Sequence, residues 1–340
     1  MPGISAIIPT FNRARLLPRA IESVLTQTLP PDQVIIVDDG STDDTREVCA
    51  RYDGRIEYVR QENAGASAAR NSGIARARHR WLAFLDSDDY WERSHIDALV
   101  AAITATLGEA AVYFSDMQMP EEEGGGTLWQ RIGFQPVGPF HLVRDATAWA
   151  LMKRQPIMLQ AAIINKEKLE QIGGFDVRFR LSHDTFSLCQ LTIGGAACAV
   201  AGVGCVQTAD DTSPARLSTE IPLGSVAKAR ESCCIWSDVL RDARGLSPAF
   251  HRLVRYNAAG SQWQVGMSLI KSGTVREGIV RLLRAAAIDP RFALWLVRHG
   301  TARGYEQTVR SACPQVNGGL PPTERRRSER NRAWKRGTAL

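Results

Sequence analysis

Apolar and polar positions in the first third of the chain keep two rhythms. Short runs rich in Ile and Val read as strands: ISAIIP (Ile4–Pro9), QVIIVDDG (Gln33–Gly40), IEYV (Ile56–Val59), WLAFLD (Trp81–Asp86) and AAVYFSD (Ala110–Asp116). The unbroken Val and Ile of the second run predict a strand buried on both faces. Between the runs the period changes. Leu16, Leu17, Ala20, Ile21, Val24 and Leu25 form a helical stripe, STDDTREVCARY opens on a capping cluster, ENAGASAARNSGIARAR is a small-residue helix, and Arg93–Ala105 is another. This alternation predicts an α/β fold: a Rossmann-like, mostly parallel sheet flanked by helices, with right-handed crossovers.

Further on the pattern weakens. PEEEGGGTL (Pro120–Leu128) reads as a loop, AAIINKEKLEQIGGFD (Ala161–Asp176) as a strand, a short helix and a Gly-Gly turn, and HDTFSLCQLTIGG (His183–Gly195) as a helix. From Ile221 to Cys313 the pattern is helical. Ser261–Gly273 and Val275–Pro290 there resemble one tetratricopeptide-type hairpin without a repeated array around it.

Composition narrows the class. With 340 residues, 44% of them hydrophobic and 23% charged, the chain is a soluble globular protein of more than one unit. No apolar run approaches the ~18 residues of a membrane span. The start MPGISAIIPTFNR lacks the basic region and cleavage site of a signal peptide, so a cytoplasmic protein is expected. Seven cysteines without a CxxC pair indicate neither a disulfide framework nor a zinc site. The net charge of +6 belongs mostly to the tail, since residues 321–340 hold seven Lys or Arg against two Glu. A nucleic-acid partner for the body is therefore not expected. The tail is a candidate peripheral contact with anionic headgroups at the inner membrane face.

The stretch WLAFLDSDDYW ends a buried strand on Asp86, Asp88 and Asp89. A calcium loop of the EF-hand type needs an acid at its fifth position and glycine at its sixth, where Tyr90 and Trp91 stand. A DxDxT phosphotransferase motif would place Thr at Tyr90 and belong on the first strand. Capping of the following helix needs one acid rather than three. Two carboxylates at i and i+2 reach one cleft if the backbone turns between them, and hard oxygens of this kind bind Mg²⁺ or Mn²⁺. In parallel sheets ligands bind beyond the carboxyl ends of the strands. Thr10, Phe11 and Asn12, then Asp38 and Asp39, then the Asp86 group gather there. The first strand runs into PTFNR instead of GxGxxG, which argues against a dinucleotide site.

Four motifs in order, IPTFNR, VIIVDDGSTDDT, ENAGASAARNSGI and FLDSDDYW, make the chain resemble the family 2 glycosyltransferases of GT-A fold over roughly residues 3–215. The resemblance implies roles residue by residue. Pro9 and Thr10 line the base and ribose pocket; Asp39 hydrogen-bonds the nucleobase, uracil N3–H being the expected partner; Asp38 supports that turn. Arg70 lies near the nucleotide, Asp86 contacts the ribose or a metal through water, Asp88 binds Mn²⁺ or Mg²⁺, and Asp89 braces the loop. The family takes its general base from an acidic pair after a GGFD segment. In GGFDVRFRLSHDTFSL the second acid is Asp184, the expected base, and His183 stands where Glu is usual. That departure leaves open the direction of any pKa change at Asp184 and the use of His183 itself as base. Asp184 can also be read as a first-turn acid complementing the helix dipole. Where relatives carry RxHxxS this chain reads QTADDTSPARLS, making Asp210, Asp211 and Arg216 secondary candidates near the diphosphate.

The expected protein is a metal-dependent inverting glycosyltransferase. Its donor is a nucleotide-diphosphate sugar, UDP-linked, and its acceptor a saccharide or lipid-linked saccharide of cell-surface polysaccharide synthesis. The expected units are a GT-A domain at 1–220, a helical extension at 221–315 and a basic disordered tail at 316–340. Two rivals stand beside it. A nucleotidyltransferase would need a basic, Gly-rich triphosphate loop early in the chain, which is absent. A non-catalytic partner-binding protein would use the C-terminal helix pair, and the His183 departure keeps that reading open.

Overall fold

The computed structural model describes residues 1–299 and Val309, apart from 122–123, 153, 209–225 and 244. Asp210, Asp211, Arg216, Cys313, the boundary at 220/221 and the basic tail lie outside the described residues. The elements run β1 (Ile4–Thr10), α1 (Leu17–Leu25), β2 (Gln33–Asp38), α2 (Thr45–Ala50), β3 (Glu57–Arg60), α3 (Ala66–Arg76), β4 (Trp81–Phe84) and β5 (Tyr90–Trp91). There follow α4 (His95–Ala105), β6 (Val112–Gln118), α5 (Leu128–Ile132), β7 (Phe140–Val143), α6 (Thr147–Ala150), β8 (Ala162–Asn165), α7 (Lys166–Gln171), α8 (His183–Thr192) and β9 (Ala197–Val206). The helices α9 (Val226–Asp242), α10 (Pro248–Lys271), α11 (Val275–Ile288) and α12 (Pro290–His299) close the described chain.

The strands form one sheet in the order β3-β2-β1-β4-β8-β6-β9-β5, with β7 also on β9. β1 pairs in parallel with both β2 and β4. The chain therefore fills one side of β1 through β3 and then crosses to the other. The carboxyl ends of β1 and β4 flank the switch point of the sheet, where open α/β folds bind ligands.

Side chains alternate across the sheet. Ile7, Ile35, Leu82 and Phe84 join α3 and the later helices on one face, while Ala6, Ile8, Ile36 and Ala83 join α1, α2 and α4 on the other. Burial on both faces explains the unbroken apolar runs. The expectation of a simple parallel succession needs one correction. β8 inserts antiparallel between β4 and β6, so β6 is not a neighbour of β4. A short run such as AIIN is apolar whichever way it points, so its pattern does not encode direction. β4 also stops at Phe84, two residues short of Asp86, which lets the acids turn out of the sheet. Tyr90–Trp91 then pairs antiparallel with the end of β9.

The helix pair read at Ser261–Gly273 and Val275–Pro290 falls on α10 and α11, though α10 begins at Pro248 rather than near Ser261. The pair α10–α11 crosses at two glycines: a Cβ on Gly266 would lie 2.9 Å from the Gly278 carbonyl, and one on Gly278 would lie 2.8 Å from that of Gly266. Ile235, Leu253 and Phe292 of α9, α10 and α12 belong to the same apolar cluster as the α3 face of the sheet.

Candidate active site

A polar cleft of about 400 Å³ opens at the switch point. Seven of the eight expected residues line it: Pro9, Thr10, Asp39, Arg70, Asp86, Asp88 and Asp184. Asp38 does not. It is 1% exposed, accepts from the Ser41 amide (2.8 Å) and the Tyr58 hydroxyl (2.6 Å), and so braces the VDDGS turn from behind. The Tyr58 hydroxyl is raised above its ordinary pKa by burial and by this carboxylate. Gly40 makes the turn possible, with φ of +84° and the Asn63 amide 3.0 Å from where a Cβ would sit.

Asp39 is held from three sides. Its carboxylate accepts from Gln61 Nε2 (2.7 Å), the Ala64 amide (2.9 Å) and the Gly65 amide (2.8 Å), at the entry to α3. A carboxylate locked this way presents a fixed acceptor edge to the cleft.

Past β4, Asp86 is tied by Arg70 at Oδ1 and by Gln160 Nε2 at Oδ2 (2.6 Å). The Asp88 carbonyl accepts from Arg19 (2.8 Å) and from Thr208, and Asp89 accepts from the Thr208 amide (3.1 Å). Asp89 thus pins the acid turn to the end of β9 and leaves Asp88 half-buried at the cleft.

Arg70 is the hub of this floor. It is 5% exposed, and its guanidinium contacts Asp86 on one side and His183 Nε2 on the other. It also lies over the Phe175 ring, 5.7 Å from the centroid. His183 is buried, and its pKa falls to about 4, first through burial and then through the Arg70 charge. Arg70 donates to Nε2, so the ring is neutral with its proton on Nδ1. Held this way, the ring has its Nε2 lone pair engaged by Arg70. Asp184, on the first turn of α8, is half-buried and faces the cleft.

Polar atoms around the cleft stay unmatched inside the protein. Thr10 Oγ1, Arg70 Nε, Gln160 Oε1 and Gln207 Oε1 are buried without a hydrogen-bond partner among the described residues. Buried polar groups are otherwise almost always satisfied, so four around one cleft mark a place for a polar ligand. Gln160 and Gln207 were not legible in the sequence. Gln160 sits in no motif and reaches the cleft because β8 inserts beside β4, and Gln207 opens the QTADDTSPARLS stretch, where only Asp210, Asp211 and Arg216 were candidates.

Among the described residues no three His, Cys, Asp or Glu side chains converge on one point. The donor set still fits a hard divalent cation, which takes one or two carboxylates and completes its shell with phosphate oxygens and water. Asp88 offers such a carboxylate at the cleft. Asp86 also lines the cleft and accepts one hydrogen bond on each oxygen, from Arg70 and from Gln160.

Switch-point position, a VDDGS turn and an acid turn together define an α/β fold with an acid-lined cleft at its strand ends. Residues 5–149 match the family model for Glycosyl transferase family 2. The glycosyltransferase GlyA of Streptococcus pneumoniae is 38% identical over 117 residues, 33% of this chain and 17% of GlyA. TuaG of Bacillus subtilis, assigned to teichuronic acid biosynthesis, is 43% identical over 100 residues, 28% of this chain and 40% of TuaG. The chain thus spans less than half the length of either curated relative. Among solved structures, S. aureus TarS 1-349 in complex with UDP superposes with a TM-score of 0.62 at 17% identity, covering 92% of this chain and 91% of that one. That likeness shows that the chain shares the fold of that structure, a mostly parallel GT-A-type sheet flanked by helices, with C-terminal helices besides. Among the described residues no helix is long and apolar enough to cross a membrane.

Proposed function

We propose that the chain is an inverting glycosyltransferase. It moves a sugar from a nucleotide-diphosphate donor, a UDP-sugar, to a hydroxyl of a saccharide or lipid-linked saccharide in cell-surface polysaccharide synthesis. The observation that carries the reading is one cleft with Asp39 and Asp88 on the strand-end side and Asp184 on the other. The UDP held by TarS and the polymer pathway assigned to TuaG support the choice of donor and acceptor class.

Asp39 receives the nucleobase N–H, and Pro9 and Thr10 flank base and ribose, Thr10 through its unmatched hydroxyl. Arg70, held between the Asp86 carboxylate and a neutral imidazole, fixes the floor of the cleft. Asp88 would hold Mg²⁺ or Mn²⁺ together with the donor's phosphate oxygens. When bound, that ion supplies positive charge for the departing diphosphate. Asp184 accepts the proton of the acceptor hydroxyl as its oxygen bonds to the anomeric carbon. The bond from that carbon to the diphosphate oxygen breaks on the opposite face, so configuration inverts and the nucleoside diphosphate leaves with the electron pair.

The test is a panel of nucleotide-sugars with Mn²⁺, read for the nucleotide released and the anomeric configuration of the product. Release of UDP without pyrophosphate, with inversion, is expected. Pyrophosphate release, or retention of configuration, overturns the reading.

A further inference from the structure

The wall that carries Asp184 is a loop. Residues 176–182 form neither helix nor strand, yet Val177, Phe179, Arg180 and Leu181 face the cleft. The amides of such a segment need partners from elsewhere. Two of them find one carboxylate on α9: the Arg180 amide donates to Glu231 Oε1 at 2.8 Å and the Leu181 amide to Oε2 at 3.1 Å. Lys228 Nζ donates to Ser182 Oγ at 2.6 Å, and Arg178 pairs with Asp238 at 3.0 Å. Below these, Phe179 and Phe186 share an apolar cluster with Ile235 and Val239. Residues 228, 231, 235, 238 and 239 recur at helical spacing, so a single face of α9 grips the loop.

Asp184 has no comparable anchor of its own. Among the described residues its carboxylate accepts only locally, from the Thr185 amide and hydroxyl. Its place in the cleft is therefore inherited from the backbone just before α8. Glu231 holds that backbone by two charge-assisted bonds. Thr10, Asp39 and Asp88 are held instead by strand ends and their turns.

We propose that Glu231 is a positioning residue for sugar transfer: it fixes the backbone at Arg180 and Leu181 and so sets where Asp184 meets the acceptor. The proposal rests on Asp184 as the base. It makes α9 part of the active site, although no motif marks it.

The test uses the full chain with Mn²⁺ and the UDP-sugar that the wild type turns over fastest, with water as acceptor and UDP release as readout. Displacing a reacting group by about 1 Å costs roughly a hundredfold, so Glu231→Ala should lower kcat about a hundredfold. The Kd for UDP should stay unchanged, because the strand-end wall is untouched. Glu231→Gln, whose amide oxygen still accepts, should recover most of the loss. Hydrogen exchange at the Arg180 and Leu181 amides should rise in the order wild type, Gln, Ala, with residues 33–38 unaffected. Full turnover in Glu231→Ala while Asp184→Ala is inactive overturns the proposal alone. Full turnover in Asp184→Ala overturns the assignment of the base, and this proposal with it. If Glu231→Ala does not fold, Glu231→Gln decides: faster exchange at both amides with lower kcat supports the proposal, and wild-type exchange or wild-type kcat overturns it.

Discussion

The two walls of the cleft are built by different means. The strand-end wall takes Pro9, Thr10, Asp39, Asp86 and Asp88 from the ends of adjacent strands, where the sheet already fixes the backbone. Its side chains and turns are then tied by bonds from the entry of α3 to Asp39 and from Arg70, Gln160 and Thr208 to the acid turn. The facing wall has no sheet behind it. It hangs from α9 by side-chain bonds that reach across 50 and 51 residues. A strand-end wall is preorganised by secondary structure; a suspended loop is only as well placed as its anchors. The two walls should therefore fail differently when cut.

The largest expected effect separates them directly. Asp184→Ala removes the base and should lower kcat by about 10²–10⁴-fold, with UDP affinity retained. Asp88→Ala should do the converse to binding. In the wild type, UDP with Mn²⁺ at a hundred times its Kd should add about 2.7 kcal/mol to stability, and Asp88→Ala should abolish the part that depends on Mn²⁺. Thermal unfolding with and without Mn²⁺ measures both. If Asp184→Ala loses UDP affinity as fully as Asp88→Ala, the division into walls is wrong.

Next in size is the floor that joins the walls. Asp86→Ala would leave Arg70, 5% exposed, without its carboxylate. Removing one partner of a buried ion pair costs about 3 kcal/mol, and urea unfolding should show a loss of that order. The converse cut, Arg70→Ala, should cost less, because Asp86 keeps Gln160 and is 28% exposed.

This asymmetry also explains what the sequence disclosed. The strands and the turns VDDGS and DSDD are local patterns, and all but one of the residues expected there meet in one cleft. Asp38 is the exception. VDDGS offers two acids in a row, and alternation along β2 turns one behind the sheet end. The partners of Arg70 were not legible, because they depend on β8 and α8 folding back beside β4 and α3. The inserted β8 and the grip of Glu231 escaped for the same reason. Periodicity speaks of an element's buried face and is silent on its neighbour. The downward shift of His183 itself likewise depends on burial and on the Arg70 contact, neither of which a linear pattern shows.

A smaller effect tests how far the α9 wall depends on the helices behind it. In Gly278→Ala the new Cβ would come within 2.6 Å of Ile270 and 2.8 Å of the Gly266 carbonyl. Backbone cannot yield cheaply, so the α10–α11 crossing should loosen at a cost of about 1–3 kcal/mol. UDP affinity should stay as in the wild type, since the strand-end wall does not touch that crossing. A parallel fall in UDP affinity would show that both walls lean on the same helices.

The smallest effect is a dependence on pH, and it can be apportioned between the two faces of the sheet. His95, on the α4 face, is 2% exposed and its pKa is driven down to about 3 by burial; His183, on the Asp184 wall, falls to about 4. Both are neutral in the folded protein, whereas in the unfolded chain each takes a proton below the ordinary value of 6.5. Between pH 6.5 and about 4 the unfolded state therefore binds more protons, so stability is complete above that window and falls as pH drops through it. From pH 7 to pH 5.5 each histidine should cost about 1 kcal/mol. Asn places an amide near the position of Nδ1 without a titrating ring, so His95→Asn and His183→Asn should each remove its own share of the acid slope, whatever they do to stability at pH 7. Chemical unfolding at several pH values reads the slope. UDP should leave the His95 share unchanged and reduce that of His183, because only His183 borders the cleft. Equal protection of both by UDP would mean that ligand binding tightens the whole sheet rather than one wall.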